Sequence, residues 1–344
     1  MHTINTGKSV YRKQSNTTRN MNSIELTRKQ ITATAERYSF TATNVEKVIR
    51  LCGILGDLST IESFKGKLTL KGGTAINLVL IPSLPRLSVD LDLDLAIDCS
   101  KDEMLLLRKQ LDESLSAYCV EKGYTLGKRE SYSLCSYELL YDTVTGSRDK
   151  IKLDINYLAR CHVFTPIEST VNHPFDPNKT FKVFHLRDVE IFGSKMGAFF
   201  ERTKPRDLYD LYSLSQSELM TSNEEKTLLR KCAVFYSTIG NDSGDNWWEK
   251  DIDGLTQMSF SKIRSQLMPM LRIKAGAYPK EKIEFAVANY VKSVMHLDDI
   301  NKEFIMRFQS GDYQPQLLFG PQMKHLEHHP VALATISKLN NRIQ

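Results

Sequence analysis

The sequence lacks the features that mark membrane and secreted proteins. No run of about 18 apolar residues occurs in the 344-residue chain, so no membrane span is predicted. Residues 1–20 are polar and contain no apolar core of a secretory signal. We therefore expect a cytoplasmic protein without membrane contact, with a flexible tail over residues 1–22.

Neither the number of cysteines nor the net charge identifies the class of protein. The six cysteines are scattered and none has CxxC spacing, which argues against a disulfide framework or a zinc site. A net charge of +5 permits a nucleic-acid partner without requiring one. The length suits one large domain or two moderate ones. No internal repeat or low-complexity segment is evident.

The most informative stretch is residues 88–95, where polar and apolar residues alternate strictly. This pattern predicts a half-buried strand with Asp90, Asp92 and Asp94 on one face. Neighbouring carboxylates repel each other, but a hard divalent cation such as Mg²⁺ reverses the sign of that interaction. Two such ions can clamp the oxygens of an in-line phosphoryl displacement. The alternative is an edge strand whose charge prevents aggregation.

A second signal precedes the acidic strand. Residues 68–70 read as a short strand, Gly72 and Gly73 as a turn, and Thr74 as the start of a helix. A Gly-Gly turn lets the backbone approach a ligand, and the first amides of the following helix suit a phosphate. A short loop joins this helix to the acidic strand, so a phosphate cradle and a metal-binding face are predicted side by side.

Together the two signals resemble the nucleotidyltransferase toxins of the AbiEii/AbiGii type, within the polymerase-beta-like nucleotidyltransferase superfamily. That family has a Gly-Gly-Ser/Thr turn followed by Arg-x-Ser-x-Asp-x-Asp on the next strand. The matching positions are Gly72, Gly73, Thr74, Arg86, Ser88, Asp90 and Asp92. The resemblance implies Mg²⁺, or Mn²⁺, on the carboxylates and an NTP on the preceding motif residues. It assigns no role to Asp94.

A later alternating run, residues 150–158, places Lys152, Asp154 and Asn156 on one face. An acid on a strand is most simply a surface residue. The resemblance implies instead that Asp154 is the third carboxylate of the metal site. Such an acid adds negative charge for a second ion and helps to deprotonate the attacking hydroxyl.

The resemblance extends to two predicted helices, over residues 189–200 and from Pro205 onward. The family carries a Lys on the first helix and Arg-Asp-x-x-Asp on the second, and the matching residues are Lys195, Arg206, Asp207 and Asp210. A Lys there would neutralise charge on the leaving pyrophosphate. One of the acids would hold that Lys or orient the hydroxyl, and Arg206 would contact the nucleotide. Pattern alone also allows Arg206 and Asp210 to be a surface i,i+4 pair.

The expected fold class is α/β (α+β). A nucleotidyltransferase core with a small mixed sheet flanked by helices is expected over residues 23–180, and an α-helical domain over 181–344. Helices are predicted over 23–63 and over 101–123, the second capped by Ser100 and ended by Gly123. Strands are predicted over 124–131, 134–142 and 150–158, and a loop over 161–179. From there to the C-terminus the chain reads as helical, including a helix over 259–271.

The resemblance implies a toxin of a toxin–antitoxin or phage-defence pair, with a cognate antitoxin as partner. The reaction would move a nucleoside monophosphate from an NTP to RNA, with the tRNA 3′ end as the acceptor, and would block translation. The alternatives are nucleotidylation of a protein or small molecule, or an idle nucleotide- or RNA-binding module. Cations recur in the helical half and suggest a groove for RNA phosphates: Lys262, Arg264, Arg272, Lys274, Lys280 and Lys282.

Two tracts of the helical half carry weaker signals. Trp247 and Trp248 form either a stacking surface for a base or, more simply, part of the core. Residues 325–329 contain three histidines but no evident fourth metal ligand. A solvated helix end is the simpler interpretation of that tract.

Overall fold

A computed structural model describes residues 26–272 and 278–343 of the chain. The expected tail over residues 1–22 and the side chain of Lys274 lie outside the described residues. In the described part, no helix is both long and apolar enough to cross a bilayer.

A seven-stranded mixed sheet forms the centre of the fold, with strand order β3-β4-β5-β2-β1-β7-β6. The strands are β1 Leu68–Lys71, β2 Asp90–Leu95, β3 Thr125–Glu130, β4 Leu134–Asp142, β5 Arg148–Asn156, β6 Ile167–His173 and β7 Asp176–His185. The pairs β2–β5 and β1–β7 are parallel, and the other neighbours are antiparallel. The mixed sheet confirms the fold class that the sequence predicts.

Strand register brings the acidic residues together. Parallel pairing of β2 with β5 sets Asp92 opposite Asp154, and antiparallel pairing of β1 with β2 sets Lys71 opposite Asp92. Residues in register on neighbouring strands project from the same face of a sheet. The other face is apolar and buried, with Leu91 and Leu153 fully inside the core. The sheet therefore presents one charged face and one core face at its centre.

The helices lie around this sheet and after it. They are α1 Arg28–Tyr38, α2 Ala42–Thr60, α3 Gly72–Ala75, α4 Lys101–Lys122, α5 Asp188–Arg202, α6 Pro205–Ser215, α7 Asn223–Gly240, α8 Ile252–Thr256, α9 Phe260–Gln266, α10 Lys280–Val294, α11 Asp299–Gln309, α12 Gln316–Phe319 and α13 Pro330–Ile343. A π-helical turn, Ile76–Leu80, continues α3. As predicted, Ser100 caps α4 and Gly123 ends it in the left-handed conformation.

The hairpin of β6 and β7 corrects the predicted loop over residues 161–179. Most side chains of β6 are exposed and Val171 alone is buried, so the strand has little alternating signal. Its pairing depends on β7, which in turn joins β1 through Leu70 and His185. Residue 180, near the soft boundary between the two predicted domains, lies inside β7. The division into two domains stays a prediction.

The predicted helix over residues 259–271 is also shorter than expected. It ends at Gln266 and is followed by a 3₁₀ turn, Met268–Met270. Pro269 explains the break, because a proline inside an α-helix removes a hydrogen bond and clashes with the preceding turn.

Close packing of α5 on α7 fixes the helix that carries Lys195. A Cβ on Gly193 would lie 2.5 Å from Cys232 Cβ, and one on Gly197 would lie 3.2 Å from the Ser237 nitrogen. Only glycine allows this approach, so the α5 backbone is held firmly against α7.

Candidate active site

The Gly-Gly turn lies directly against the acidic strand. Gly72 has φ +68°, and a Cβ there would lie 2.6 Å from Asp92 Oδ2. A Cβ on Gly73 would lie 2.5 Å from the Arg86 guanidinium and 3.0 Å from Ser88 Oγ. Helix α3 begins at Gly72, two residues before the predicted start at Thr74. The structure thus brings together both parts of the family motif, and glycine is required at both positions.

Two hydrogen bonds tie this turn to its surroundings. Thr74 Oγ1 donates to the Asp90 carbonyl at 2.5 Å, and Asn77 Nδ2 donates to the Gly73 carbonyl at 2.6 Å. The Thr74 hydroxyl therefore connects the start of α3 to the start of the acidic strand. This contact fixes the distance between the predicted phosphate cradle and the carboxylates.

Asp92 lies at the centre of the acidic face. Burial raises the pKa of its carboxyl, and the nearby Asp90 and Asp154 carboxylates raise it further, whereas Lys71 and Lys195 act in the opposite direction. A carboxylate that is buried beside like charges gains from a divalent cation. The donor chemistry of Asp90 and Asp92 therefore fits a hard metal ion.

Asp154 faces the same site but its oxygens are engaged by protein groups. Ser136 Oγ donates to Oδ1 at 2.6 Å, and Lys152 Nζ donates to Oδ2 at 2.5 Å. Within residues 26–272 and 278–343, no three His, Cys, Asp or Glu side chains are grouped closely enough to hold a metal. Metal ligation by Asp154 stays a prediction, and binding there requires Lys152 to move.

Lys71 is a charged residue of the site that the sequence analysis missed. Its Nζ lies 2.5 Å from Oδ1 of the buried Asp94. Its position in the sequence could have indicated this role, because Lys71 directly precedes the Gly-Gly turn. It also ends β1, the strand that pairs with the acidic strand β2. Asp94 therefore has a partner of its own.

A buried cluster of charged side chains lies next to the acidic face, with Lys195 close enough to act on the pKa of Asp92. Lys195 Nζ is 3.0 Å from both Asp207 Oδ1 and Asp210 Oδ2. Arg86 binds Asp210 through two hydrogen bonds, of 2.7 and 2.8 Å. Arg202 Nε donates to Asp207 at 2.9 Å from a half-exposed position. Four predicted residues thus form one network.

The network keeps its members charged. Burial alone would raise the pKa of Asp207, but Lys195 and Arg202 outweigh it and lower the pKa to about 2. Burial likewise opposes ionisation of Asp210, yet Arg86 and Lys195 lower the pKa of its carboxyl. For Lys195, burial acts to lower the pKa, and Asp210 and Asp207 more than reverse it. An ammonium group is therefore held permanently beside Asp92.

The proposed surface pair between Arg206 and Asp210 is wrong. Arg206 points instead to Asp90, with 3.3 Å between the guanidinium and Oδ2, whereas Asp210 is buried. The two residues lie about one turn apart on α6, but each pairs with a residue from another segment of the chain, which the i,i+4 spacing could not reveal. Arg206 remains at the mouth of the site.

The two tracts of the helical half differ in burial: His325, Glu327 and His328 are exposed, as the solvated helix end predicts, whereas Trp247 and His329 are buried. Trp247 is buried and its ring lies 5.3 Å from that of Phe200, as the core interpretation predicts. His329 is buried against Phe235, so the interpretation as a solvated helix end is wrong for this residue. Burial lowers the pKa of His329 to about 3, which keeps the ring neutral.

The fold and the site define a nucleotidyltransferase. The sequence model described as "Nucleotidyl transferase AbiEii toxin, Type IV TA system" matches residues 54–285. The chain therefore belongs to the AbiEii family and is a nucleotidyltransferase toxin of a type IV toxin–antitoxin system.

A solved structure shares the fold. MenT4, a nucleotidyltransferase toxin from Mycobacterium tuberculosis H37Rv, superposes with a TM-score of 0.61 and 16% sequence identity. The match covers 90% of this chain and 99% of that chain. A comparison with curated protein sequences gives no match.

Proposed function

We propose that the protein transfers a nucleoside monophosphate from an NTP to RNA, with the tRNA 3′ end as the acceptor, and so blocks translation. The observation that carries this proposal is the contact of Gly72 with Asp92, which puts a backbone anion cradle directly against the acidic face. The family adds a cognate antitoxin as partner.

In this proposal the triphosphate lies on the turn at Gly72, Gly73 and Thr74, with Ser88 and Arg206 at its edge. Arg86 acts differently from the prediction that it contacts the nucleotide. Its three nitrogens already donate to Asp210 and to the Leu87 carbonyl, and its side chain is 2% exposed. We assign Arg86 as a positioning residue that holds Gly73 and α6 together.

Asp90 and Asp92, joined by Asp154, would hold Mg²⁺, with Mn²⁺ as the alternative ion. When bound, such an ion neutralises phosphate charge and lowers the pKa of the attacking hydroxyl. The acceptor oxygen forms a bond to the α-phosphorus while the bond to pyrophosphate breaks. The hydroxyl proton passes to a carboxylate of the acidic face, and the family resemblance assigns this role to Asp154.

Lys195 supplies fixed positive charge to this reaction. The two acids that hold it also prevent it from losing its proton, so it remains an ammonium group beside Asp92. A preorganised charge of this kind stabilises negative charge that develops on the leaving pyrophosphate. Asp207 and Asp210 serve the reaction by holding Lys195.

The direct test is incubation of the purified protein with each labelled NTP, purified tRNA and Mg²⁺, with Asp92→Asn as the inactive variant. Asp102→Asn, an exposed acid on α4, is the matched control. We expect label in tRNA from the wild type and the control only. Label in protein or in a small molecule would overturn the RNA acceptor and leave the transferase intact. No label in any product would favour an idle binding module.

A further inference from the structure

A cavity of about 510 Å³ opens beside the acidic face and was not predicted from the sequence. Its sheet side is formed by Lys71, Asp94 and Asn156. Its helical side is formed by α5, the end of α7 and the segment 241–250. Small-molecule pockets have volumes of about 300–1,000 Å³, so this one has room for a nucleoside.

The cavity continues the reaction site along the strands. Asp94 follows Asp92 by two residues on β2, and Asn156 follows Asp154 by two residues on β5. Residues two apart on a strand lie about 7 Å from each other and project from the same face. A nucleotide that reacts at Asp92 can therefore place its base in the cavity.

Within the part of the chain that the structure describes, several polar groups of the cavity wall have no hydrogen-bond partner. They include His162 Nε2, Ser237 Oγ and Trp247 Nε1, on residues that are 8%, 7% and 3% exposed. His162 Nε2 lies 3.6 Å from Asp94 Oδ2, too far for a hydrogen bond. A buried polar group without a partner costs about 1–3 kcal/mol. A ligand in the cavity that forms hydrogen bonds would satisfy such groups once their side chains turn towards it.

Charge around the cavity indicates which part of a nucleotide it takes. Asp94, Glu201, Asp242 and Asp245 line it, against two lysines, Lys71 and Lys250. Phosphate is repelled by this wall and is attracted to the cations at the other end of the site. Aromatic and aliphatic side chains complete the wall: Phe200, Trp247, Ile239 and Val331. An uncharged planar group with hydrogen-bonding edges matches these properties.

We propose that this cavity is the nucleobase pocket of the transfer site, which rests on the proposed function. The base belongs either to the NTP or to the terminal nucleotide of the acceptor RNA. Ser237, Trp247 and His162 would bond its edge, and the ring of Trp247 or Phe200 would contact its face.

Gly240 offers a variant that obstructs the cavity without a clash. It lies at the end of α7 and lines the cavity, and a Cβ there meets no atom within 4 Å. Gly53 on α2 is the matched control, since it is also exposed and also meets nothing within 4 Å. Neither glycine has a positive φ, so Gly240→Leu and Gly53→Leu should both fold.

The measurements are KM for each NTP, KM for tRNA, and binding of inorganic triphosphate by calorimetry. For Gly240→Leu we expect KM to rise at least about tenfold for one substrate, the cost of about 1.4 kcal/mol of lost binding. A rise for the NTP alone identifies its base as the occupant, and a rise for tRNA alone identifies the acceptor. Triphosphate has no base, so its binding should not change. Gly53→Leu should behave as the wild type.

Ser237→Ala provides an independent test because it removes one unpartnered hydroxyl. An unpartnered group contributes no hydrogen bond to stability, so Tm should not fall. The same KM should rise about threefold to tenfold. Wild-type KM values in both Gly240→Leu and Ser237→Ala would overturn the pocket while leaving transfer established. Failure of the wild type to transfer label would instead count against the proposed function.

Discussion

Arg86 and Asp210 form a bidentate ion pair across 124 residues of sequence, with N–O distances of 2.7 and 2.8 Å. Both side chains are 2% exposed. The pair joins the loop before the acidic strand to helix α6. Parallel N–H···O bonds between guanidinium and carboxylate fix orientation as well as distance.

Breaking this pair should destabilise the protein. Asp210→Asn leaves Arg86 buried without its counter-charge, so the free energy of unfolding should fall by about 3–5 kcal/mol. Urea denaturation measures the change. Asp253→Asn is the control, because Asp253 pairs with Lys292 on the surface and its loss should cost at most about 1 kcal/mol. If both variants lost the same free energy of unfolding, the buried pair of Arg86 and Asp210 would stabilise the fold no more than a surface pair does.

The ionised Asp207 should make the free energy of unfolding fall as the pH is lowered. Its pKa is lowered from 3.8 to about 2, so its stabilising effect is complete above pH 4 and is lost as pH falls towards 2. At 1.36 kcal/mol for each pKa unit, Asp207→Asn should be about 2 kcal/mol less stable than the wild type at pH 6. The difference should vanish near pH 2. A difference in unfolding free energy that stays constant over this range would contradict the ionised buried carboxylate.

Asp92 should be needed for activity and not for folding. Burial raises the pKa of its carboxyl, which means that the folded protein disfavours this charge. Asp92→Asn should therefore keep or raise Tm without metal while abolishing transfer, and Asp90→Asn should do the same with at most a small loss from its pair with Arg206. Added Mg²⁺ should raise Tm of the wild type and not of Asp92→Asn. Near-normal transfer by either variant would disprove the metal assignment.

Lys195 should act on the triphosphate chemistry. Lys195→Met keeps much of the apolar stem and removes the charge, so kcat should fall at least about tenfold to a hundredfold. Arg86 and Arg202 still face Asp210 and Asp207, which should keep the variant folded. Circular dichroism gives the folded fraction of each variant, and activity is compared per folded molecule. RNA binding should not change. A normal kcat would reduce Lys195 to a structural role.

Salt dependence should reveal an RNA acceptor, but not through Arg272. Its guanidinium donates to the Tyr38 and Ser83 carbonyls and lies over the Phe40 ring, so it is a structural contact. Lys274, another cation of the predicted groove, lies outside the described residues. Lys262 and Arg264 are exposed on α9 and suit the test better.

Each contact between the protein and a phosphate of single-stranded RNA contributes about −0.7 to the slope of the log binding constant against log salt concentration. Lys262→Gln with Arg264→Gln should therefore weaken tRNA binding and reduce the slope by about 1.4, while NTP binding stays the same. The control is Lys101→Gln with Lys109→Gln on α4, where both lysines are exposed. A slope near zero for the wild type would argue against RNA.

Local sequence patterns are sufficient to predict the strand, the turn and the helix ends around the site. Alternation in residues 88–95 predicted the acidic strand, and Ser100 and Gly123 predicted the ends of α4, because these signals depend only on neighbouring residues. The glycines at 72 and 73 were recognised for the same reason.

The pairing of charged side chains and the position of the cavity follow from tertiary contacts. Asp210 reads as a surface residue on its own helix, yet Arg86 from another segment makes it part of a buried network. The hairpin of β6 and β7 joins the sheet through pairing of β7 with β1. The residues of β6 show little alternation of polar and apolar side chains. The cavity at Asp94 exists because a sheet and two distant helices meet around it. Such contacts depend on the whole chain, which no local periodicity encodes.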